Sequence, residues 1–365
     1  MTSYLGIVTA ALILSRVFTI GLIKFSQKYH LALPVRPRDS HDKPTPRIGG
    51  VAMFLSFWLV IGFLYVQDSS RLNFIDWNIV GLDANLLGVS LASLVLLAVH
   101  LYDDVKGLQP APKFAAMVAA GVLLAAFGIR IWWLSNPLGG ANIVLSAWES
   151  HLLVVTWTVL IINVVNFLDG LDGLAAGVSG IGASVLLLLA LTPFIGQAHH
   201  AVLAAALLGA ILGFLPSNMH PARIFMGDSG STFLGLMLAV LSIISGAKVA
   251  TAFLVLGIAI IDAVWVVGKR ALSGRLPWAA GRDHLHHKLL DLGLKTEQIV
   301  ILYWAITAVL GYMALRLSNL PQSEATQGKV EAIGALAFAM LSLFGIIFLL
   351  EWQRRHSRRA VSDKS

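Results

Sequence analysis

Four polar side chains end an apolar run in a way that invites chemistry. After "HLLVVTWTVLII" comes "NVVNFLDGLDGLAAG" (163–177), which carries Asn163, Asn166, Asp169 and Asp172. A carboxylate at the centre of a bilayer-spanning helix costs about 2.5–3.5 kcal/mol on insertion scales, so the run must be holding something. Asn163 with Asn166, Asn166 with Asp169, and Asp169 with Asp172 are i,i+3 neighbours. The whole set winds around about half a helix, so no single face presents all four. Gly170 and Gly173 let the backbone open and turn the last carboxylates inward. Polar glue between helices accounts for one asparagine; four such groups in one short run read as a ligand site.

Other clusters have complementary chemistry. "LYDDVKG" (101–107) places Asp103 and Asp104 side by side. Adjacent helical residues point about 100° apart, so both can border one cavity at a helix end. Two such anions raise each other's pKa unless a cation intervenes. A solvated helix end balanced by Lys106 is the plainer alternative. "NMHPARIFMGDSGS" (218–231) supplies Asn218, and Asp228 between two glycines. Free backbone N–H groups at a helix start suit an anion and Asp228 suits a hard cation, although G-D-S-G is also a good turn and N-cap. "GRDHLHH" (281–287) gives Arg282, His284, His286 and His287 in a basic loop. With no cysteine in the chain and oxygen-rich surroundings, Mg²⁺ or Mn²⁺ is favoured over zinc, and the basic loop reads as hydrogen-bonding groups for phosphate. Carboxylates and amide oxygens for Mg²⁺, facing Arg, Lys and His for phosphate, describe phosphoryl transfer.

The elements that must position these residues are membrane helices. Hydrophobic residues make up 57% of the 365 positions and charged residues 12%, far below the roughly 25% charged content of a soluble domain. The expected fold is all-α, a polytopic integral membrane protein of ten to eleven transmembrane helices, in one domain over 1–365 without internal repeats. Spans need about 20 apolar residues. Such windows centre on Ser3–Leu22, Gly50–Tyr65, Leu86–Leu101, Phe114–Ile131, Leu152–Leu168, Leu174–Ile195, Ala201–Leu215, Thr232–Ile244, Thr251–Val267, Ile299–Leu315 and Val330–Leu350. The first stretch has no basic leader and no small-residue cleavage site, so it reads as a retained helix.

Basic residues orient the bundle. With the N-terminus outside, segments 23–48, 102–113, 169–173, 216–231, 268–298 and the tail 351–365 face the cytoplasm and hold 20 of the 26 Lys and Arg, as the positive-inside rule requires. The tail "RRHSRR" then anchors the last helix at anionic headgroups. Every polar cluster falls on that same face, whereas Asp68, Asp76, Asp83, Glu149, Glu324, Glu331, His199 and His200 lie opposite. A transporter or lipid-binding scaffold is the rival class; it would place ionisable groups at the midplane in matching halves, and neither is present. An active site at the cytoplasmic membrane edge suits one lipid substrate and one soluble nucleotide.

In order and spacing, "HDKPTPRIGG", "DDVKGLQPAPKF", "NFLDGLDGLAAG", "IFMGDSGSTFLG" and an Asp262…Lys269-Arg270…His284-x-His286-His287 arrangement resemble the bacterial polyprenyl-phosphate N-acetylhexosamine-1-phosphate transferases. These enzymes start O-antigen, common-antigen and teichoic-acid assembly. The likeness covers about 36–294. It implies that polyprenyl phosphate attacks the β-phosphate of a UDP-N-acetylhexosamine, with Mg²⁺ required, giving polyprenyl-diphospho-sugar and UMP. It also implies a multi-pass protein of the bacterial inner membrane, with active site and C-terminus cytoplasmic.

Carried onto this chain, the resemblance implies Asp228 as the main Mg²⁺ ligand and Asn166 as a second. Asp103 orients or deprotonates the lipid phosphate, with Asp104 beside it. Asp169 and Asp172 shape the nucleotide pocket, with Asn218 near it and Asn163 on the same run. Arg282, His284, His286 and His287 bind the diphosphate or sugar, and Lys113 and His41 lie in matching motifs. Two positions depart from the pattern: His100 stands where Gly is common before the Asp pair, and Gly281 stands where an acid often precedes the Arg, with Asp283 after it. The related phospho-N-acetylmuramoyl-pentapeptide transferases, which carry a run of consecutive histidines, are the alternative within the class. Expected partners are the two substrates and membrane lipids, not nucleic acid, and the sequence leaves room for a homodimer.

Overall fold

The computed structural model describes residues 3–29, 45–75, 77–79, 81–134, 142–192, 198–244, 248–274, 284–320 and 325–362. Helices dominate because long, uniformly apolar stretches can satisfy their backbone in lipid only by coiling or by closing a barrel. In chain order they are α1 (Tyr4–Tyr29), α2 (Gly49–Gln67), α3 (Ala84–Lys106), α4 (Pro110–Ala126), α5 (Ala147–Leu168), α6 (Leu174–Ala190) and α7 (Ala198–Asn218). There follow α8 (Gly227–Ile244), α9 (Lys248–Val255), α10 (Gly257–Leu272), α11 (Leu285–Asp291), α12 (Thr296–Ser318) and α13 (Ala325–Ser362). Eight of these are long and apolar enough to cross a membrane, and α4 and α6 are shorter apolar helices. The chain is a multi-pass membrane protein.

Each of the eleven expected windows contains a helix, but the ninth is broken. A single helix is expected over Thr251–Val267, and the structure divides it into α9 and α10 at Leu256 (φ −91°, ψ 10°). Gly257 follows the break, and a Cβ there would lie 2.7 Å from Leu336 Cδ1 of α13. Small residues of this kind are where helices kink. An unbroken apolar run hides such a break.

The core centres on α8, whose residues from Ser229 to Ser242 are all buried, with α2, α3, α5, α6, α7 and α9 packed around it. α2 meets α8 backbone to backbone: a Cβ on Gly50 would collide with the Gly230 N and Cα atoms. Main-chain hydrogen bonds lock the same approach, Gly49 N to Phe225 O at 2.9 Å and Gly50 N to Met226 O at 2.8 Å. The start of α8 is thereby fixed in height against the start of α2.

Two small hairpins lie at the far end of the bundle, β1 (Asn78–Ile79) with β2 (Leu82–Asp83) and β3 (Trp133–Leu134) with β4 (Ile143–Val144). Asp83 organises the first. Its buried carboxylate accepts from the N–H groups of Phe74 (2.8 Å), Ile75 (2.9 Å) and Leu86 (3.0 Å), capping α3. At the opposite end, Gly107 (φ 77°) stops α3 and Pro110 opens α4, so three residues reverse the chain and bring α4 back alongside the Asp pair.

Candidate active site

The ends of α3, α4 and α5 and the start of α8 converge on one ammonium. Lys113 Nζ donates to Asp103 Oδ2 and to Asp228 Oδ2, both at 2.9 Å. The α3–α4 reversal makes this possible, because it places the first turn of α4 opposite the last turn of α3. Asp103 is further fixed by the Leu108 N–H, which donates to its Oδ1. Asn166, on the last turn of α5, donates from Nδ2 to Asp228 Oδ1 at 3.3 Å and to Ser231 Oγ at 2.9 Å. The Asp228 side chain remains 32% exposed, so a ligand can reach it.

Asp104 faces the other way. Its Oδ1 accepts from Asp228 N at 2.7 Å and its Oδ2 from Ser229 N at 3.0 Å, which satisfies two of the free donors at the start of α8. Gly227, at φ 71°, permits the contact; a Cβ there would lie 2.6 Å from Asp104 Oδ2. The two members of the acidic pair are thus divided, one toward Lys113 and one under the helix that carries Asp228.

The loop after α5 links this acidic centre to the histidines. Asp169 has no hydrogen-bonded partner for its carboxyl among the described residues. Burial holds it well above the ordinary carboxylate range, and the like charges of Asp228 and Asp104 add to the effect. Asp172 instead accepts from His220 Nδ1 at 2.8 Å and Ala222 N at 3.0 Å. Asn218 accepts from Gly173 N and donates to Ile224 O, both at 3.2 Å. These two side chains staple the 166–173 and 218–227 loops together. Asn163 turns back onto its own helix, donating to Val159 O at 2.8 Å and to Met117 Sδ at 3.3 Å, away from the cluster. That is the outcome expected of four groups that wind around half a helix.

Asp262 on α10 holds the histidine segment. It accepts from Leu285 N at 2.9 Å, capping α11, and pairs with His284 Nδ1 at 3.0 Å. The ring of His284 packs on Phe167 at 4.9 Å and stacks with His286 at 5.7 Å and 12° between planes, while His286 and His287 lie 4.3 Å apart. His286 is buried, and neither ring nitrogen has a hydrogen-bond partner among the described residues. Burial, then the neighbouring His287 and His284, hold its pKa well below the usual value, so the ring is neutral at pH 7. A Cβ on Gly170 would stand 2.6 Å from His286 Nε2. Gly170→Ala therefore pushes His286 out of its seat. If that ring contacts the donor substrate, the expected result is a donor KM raised about tenfold with a small change in melting temperature, measured by steady-state kinetics and thermal denaturation.

Of the residues singled out in the sequence, the structure brings together Asp103, Lys113, Asn166 and Asp228, with Asp104 beneath them, and joins Asp169 to His284, His286 and His287 through Gly170. Arg282 and His41 lie outside the described residues, as do Gly281 and Asp283. The central position of Lys113 was not legible as a role. Its signal is a Lys ten residues after an Asp, across a Gly and a helix-opening Pro. Asp262 and Ser231 lie within the quoted motifs without an assigned role, and the structure makes them positioning residues.

Among the described residues no three His, Cys, Asp or Glu side chains converge on a common metal-ligand position. The acidic centre still suits a hard cation, because Mg²⁺ is commonly held by one or two carboxylates together with substrate phosphates and water. Asp228 with Asn166 offers that kind of oxygen donor set.

Residues 86–246 match the model of glycosyl transferase family 4, a span that takes in the whole acidic centre and stops short of the histidines. The chain is 34% identical over 303 residues to the decaprenyl-phosphate N-acetylglucosaminephosphotransferase of Mycobacterium tuberculosis, covering 76% of this chain and 74% of the relative. It is 30% identical over 288 residues to a probable undecaprenyl-phosphate N-acetylglucosaminyl 1-phosphate transferase of Bacillus subtilis, 77% and 76% of the two chains. A phospho-N-acetylmuramoyl-pentapeptide-transferase of Staphylococcus aureus is more distant, 27% identical over 322 residues, 85% of this chain and 95% of the relative. An acidic centre of this composition at one end of a bundle of apolar helices, and similarities that cover about three quarters of the chain, lead to one conclusion: the chain is a phosphotransferase belonging to glycosyl transferase family 4, among the polyprenyl-phosphate sugar-1-phosphate transferases.

Proposed function

We propose that this enzyme transfers N-acetylhexosamine-1-phosphate from a UDP-N-acetylhexosamine to a polyprenyl phosphate, yielding polyprenyl-diphospho-N-acetylhexosamine and UMP. The observation that carries the reading is the convergence of Asp103, Lys113, Asn166 and Asp228 at one end of an apolar bundle, where a lipid phosphate and a soluble nucleotide can meet. The names of the mycobacterial and Bacillus relatives support N-acetylglucosamine as the sugar. The weaker similarity to the Staphylococcus transferase makes the muramoyl-pentapeptide donor second.

In this reading Asp228 and the Asn166 carbonyl would hold Mg²⁺, which supplies charge neutralisation on the diphosphate. Asp103 faces the arriving lipid phosphate and keeps it oriented, accepting a proton if the phosphate still carries one. Lys113 supplies a positive charge beside the oxygens that gain negative charge during transfer. Asp169, beside the acidic centre, lines the nucleotide pocket. His286 and His287 contact the donor from the loop. Positioning of this kind is worth about 7–11 kcal/mol where alignment is good.

Purified protein supplied with polyprenyl phosphate, Mg²⁺ and a panel of UDP-sugars should release UMP with a UDP-N-acetylhexosamine, and EDTA should silence it. UMP release with UDP-N-acetylmuramoyl-pentapeptide alone would transfer the assignment to the second reading. Restoration by Zn²⁺ but not by Mg²⁺ or Mn²⁺ would contradict the oxygen-ligand site.

We also propose that the acidic centre and the C-terminus face the cytoplasm of a bacterial inner membrane, a reading supported by the distribution of basic residues. The chain contains no cysteine, so single cysteines report sidedness cleanly. Ser273, at the end of α10, is expected to resist an impermeant maleimide in intact cells, whereas Ser70 at the opposite end reacts. Labelling of Ser273 from outside inverts the orientation. Ser323, the other natural position for such a probe, lies outside the described residues.

A further inference from the structure

Two donors already compete with any cation for the Asp228 carboxylate. Its Oδ2 accepts from Lys113 and its Oδ1 from the Asn166 amide N–H, and an amide nitrogen is no ligand for a hard cation. The same Lys113 ammonium also holds Asp103 at 2.9 Å, and Asp104 lies just beneath, bound to the backbone of Asp228 and Ser229. Three carboxylates are thus gathered where the side chains of Lys113 and Asp103 are only 26% and 12% exposed. A site of that density repels itself unless a cation sits within it.

We propose that Lys113 is the built-in counter-ion of this carboxylate cluster, and that a divalent cation binds by exchange with its ammonium. The Asn166 amide turns over in the same event to offer its oxygen. The inference rests on the metal-dependent reading above and adds a competition that the reading does not require. The exchange balances in charge: one positive charge shared by two carboxylates gives way to two, and the freed ammonium remains close enough to meet the phosphate that arrives with the metal. It would also hold the carboxylates together before a cation binds.

The test is Mn²⁺ binding to the full-length protein in detergent after chelation, followed by electron paramagnetic resonance and needing no turnover. Lys113→Met removes the competitor and should bind Mn²⁺ at least about tenfold more tightly than the wild type, the scale of one charge-assisted hydrogen bond. Lys113→Arg replaces it with a fork that grips carboxylates more firmly and should bind more weakly than the wild type. With EDTA, the Met variant should melt lower than the wild type and gain more from Mn²⁺. Equal or weaker Mn²⁺ binding by the Met variant overturns the exchange and makes Lys113 a builder of the site. If the Met variant does not fold, Arg-variant affinity equal to or tighter than wild type overturns it instead. Absence of Mn²⁺ binding in the wild type and both variants is a different result, because it removes the metal reading itself.

Discussion

Asp228→Ala is expected to lower turnover by about a thousandfold or more while leaving the protein folded. The carboxylate stands at the centre of the site, paired with Lys113 on one oxygen and Asn166 on the other. Losing a single preorganised charge partner of a transition state typically costs 10²–10³-fold, and in the proposed reading this carboxylate would also hold the cation. A thousandfold corresponds to about 4 kcal/mol of barrier. The fold should tolerate the change for two reasons. The side chain is a third exposed, so no core cavity opens. The backbone N–H of residue 228 also keeps its partner in Asp104. Size-exclusion profile and melting temperature should therefore match the wild type. A variant that keeps a tenth of its turnover would show that Asp228 is not the centre of the reaction.

The second large effect separates the adjacent acids. Asp103→Asn removes charge and basicity but preserves shape, and its neighbours are an ammonium and one loop N–H. Its kcat should fall by about 10²–10⁴-fold if it acts as a general base, with the melting temperature nearly unchanged. Asp104→Ala acts differently. It strands two N–H groups at the start of α8, that of Ser229 buried and that of Asp228 part-buried, a loss of about 1–3 kcal/mol for a buried donor left unsatisfied. The melting temperature should drop by several degrees, and activity should fall because Asp228 shifts; a displacement of about 1 Å can cost 10²-fold. Asp104→Asn, which keeps one acceptor, should recover part of both. Equal kcat loss at constant melting temperature in Asp103→Asn and Asp104→Asn would return the two carboxylates to a shared catalytic role.

Much of this was legible in the sequence because the bilayer imposes a coarse rule. Apolar runs of span length must be helices, and polar residues at the end of such runs stand out. Asp103, Asn166 and Asp228 announce themselves in this way, each where an apolar window ends or begins. Which way a side chain turns at that end is a finer matter. Asp103 and Asp104 differ by one residue, and only the return of α4 and the start of α8 decides that one meets Lys113 and the other the backbone. The resemblance implies that Asp172 and Asn218 shape the nucleotide pocket; what it does not carry is that both also tie the 218–227 loop to the turn at 172–173. The break at Leu256 was invisible for the opposite reason: apolar residues on both sides carry no sign of a change in direction.

The most direct test of the proposed reaction is the fate of the β-phosphate. UDP-N-acetylglucosamine labelled with ³²P at the β position is incubated with the purified enzyme, polyprenyl phosphate and Mg²⁺, and the lipid and aqueous phases are counted. Transfer of sugar-1-phosphate predicts that the label enters the lipid phase in step with UMP formation, on a polyprenyl diphosphate carrying one N-acetylhexosamine. Label left in water as UDP, with a lipid product that has gained sugar but no phosphate, would contradict it.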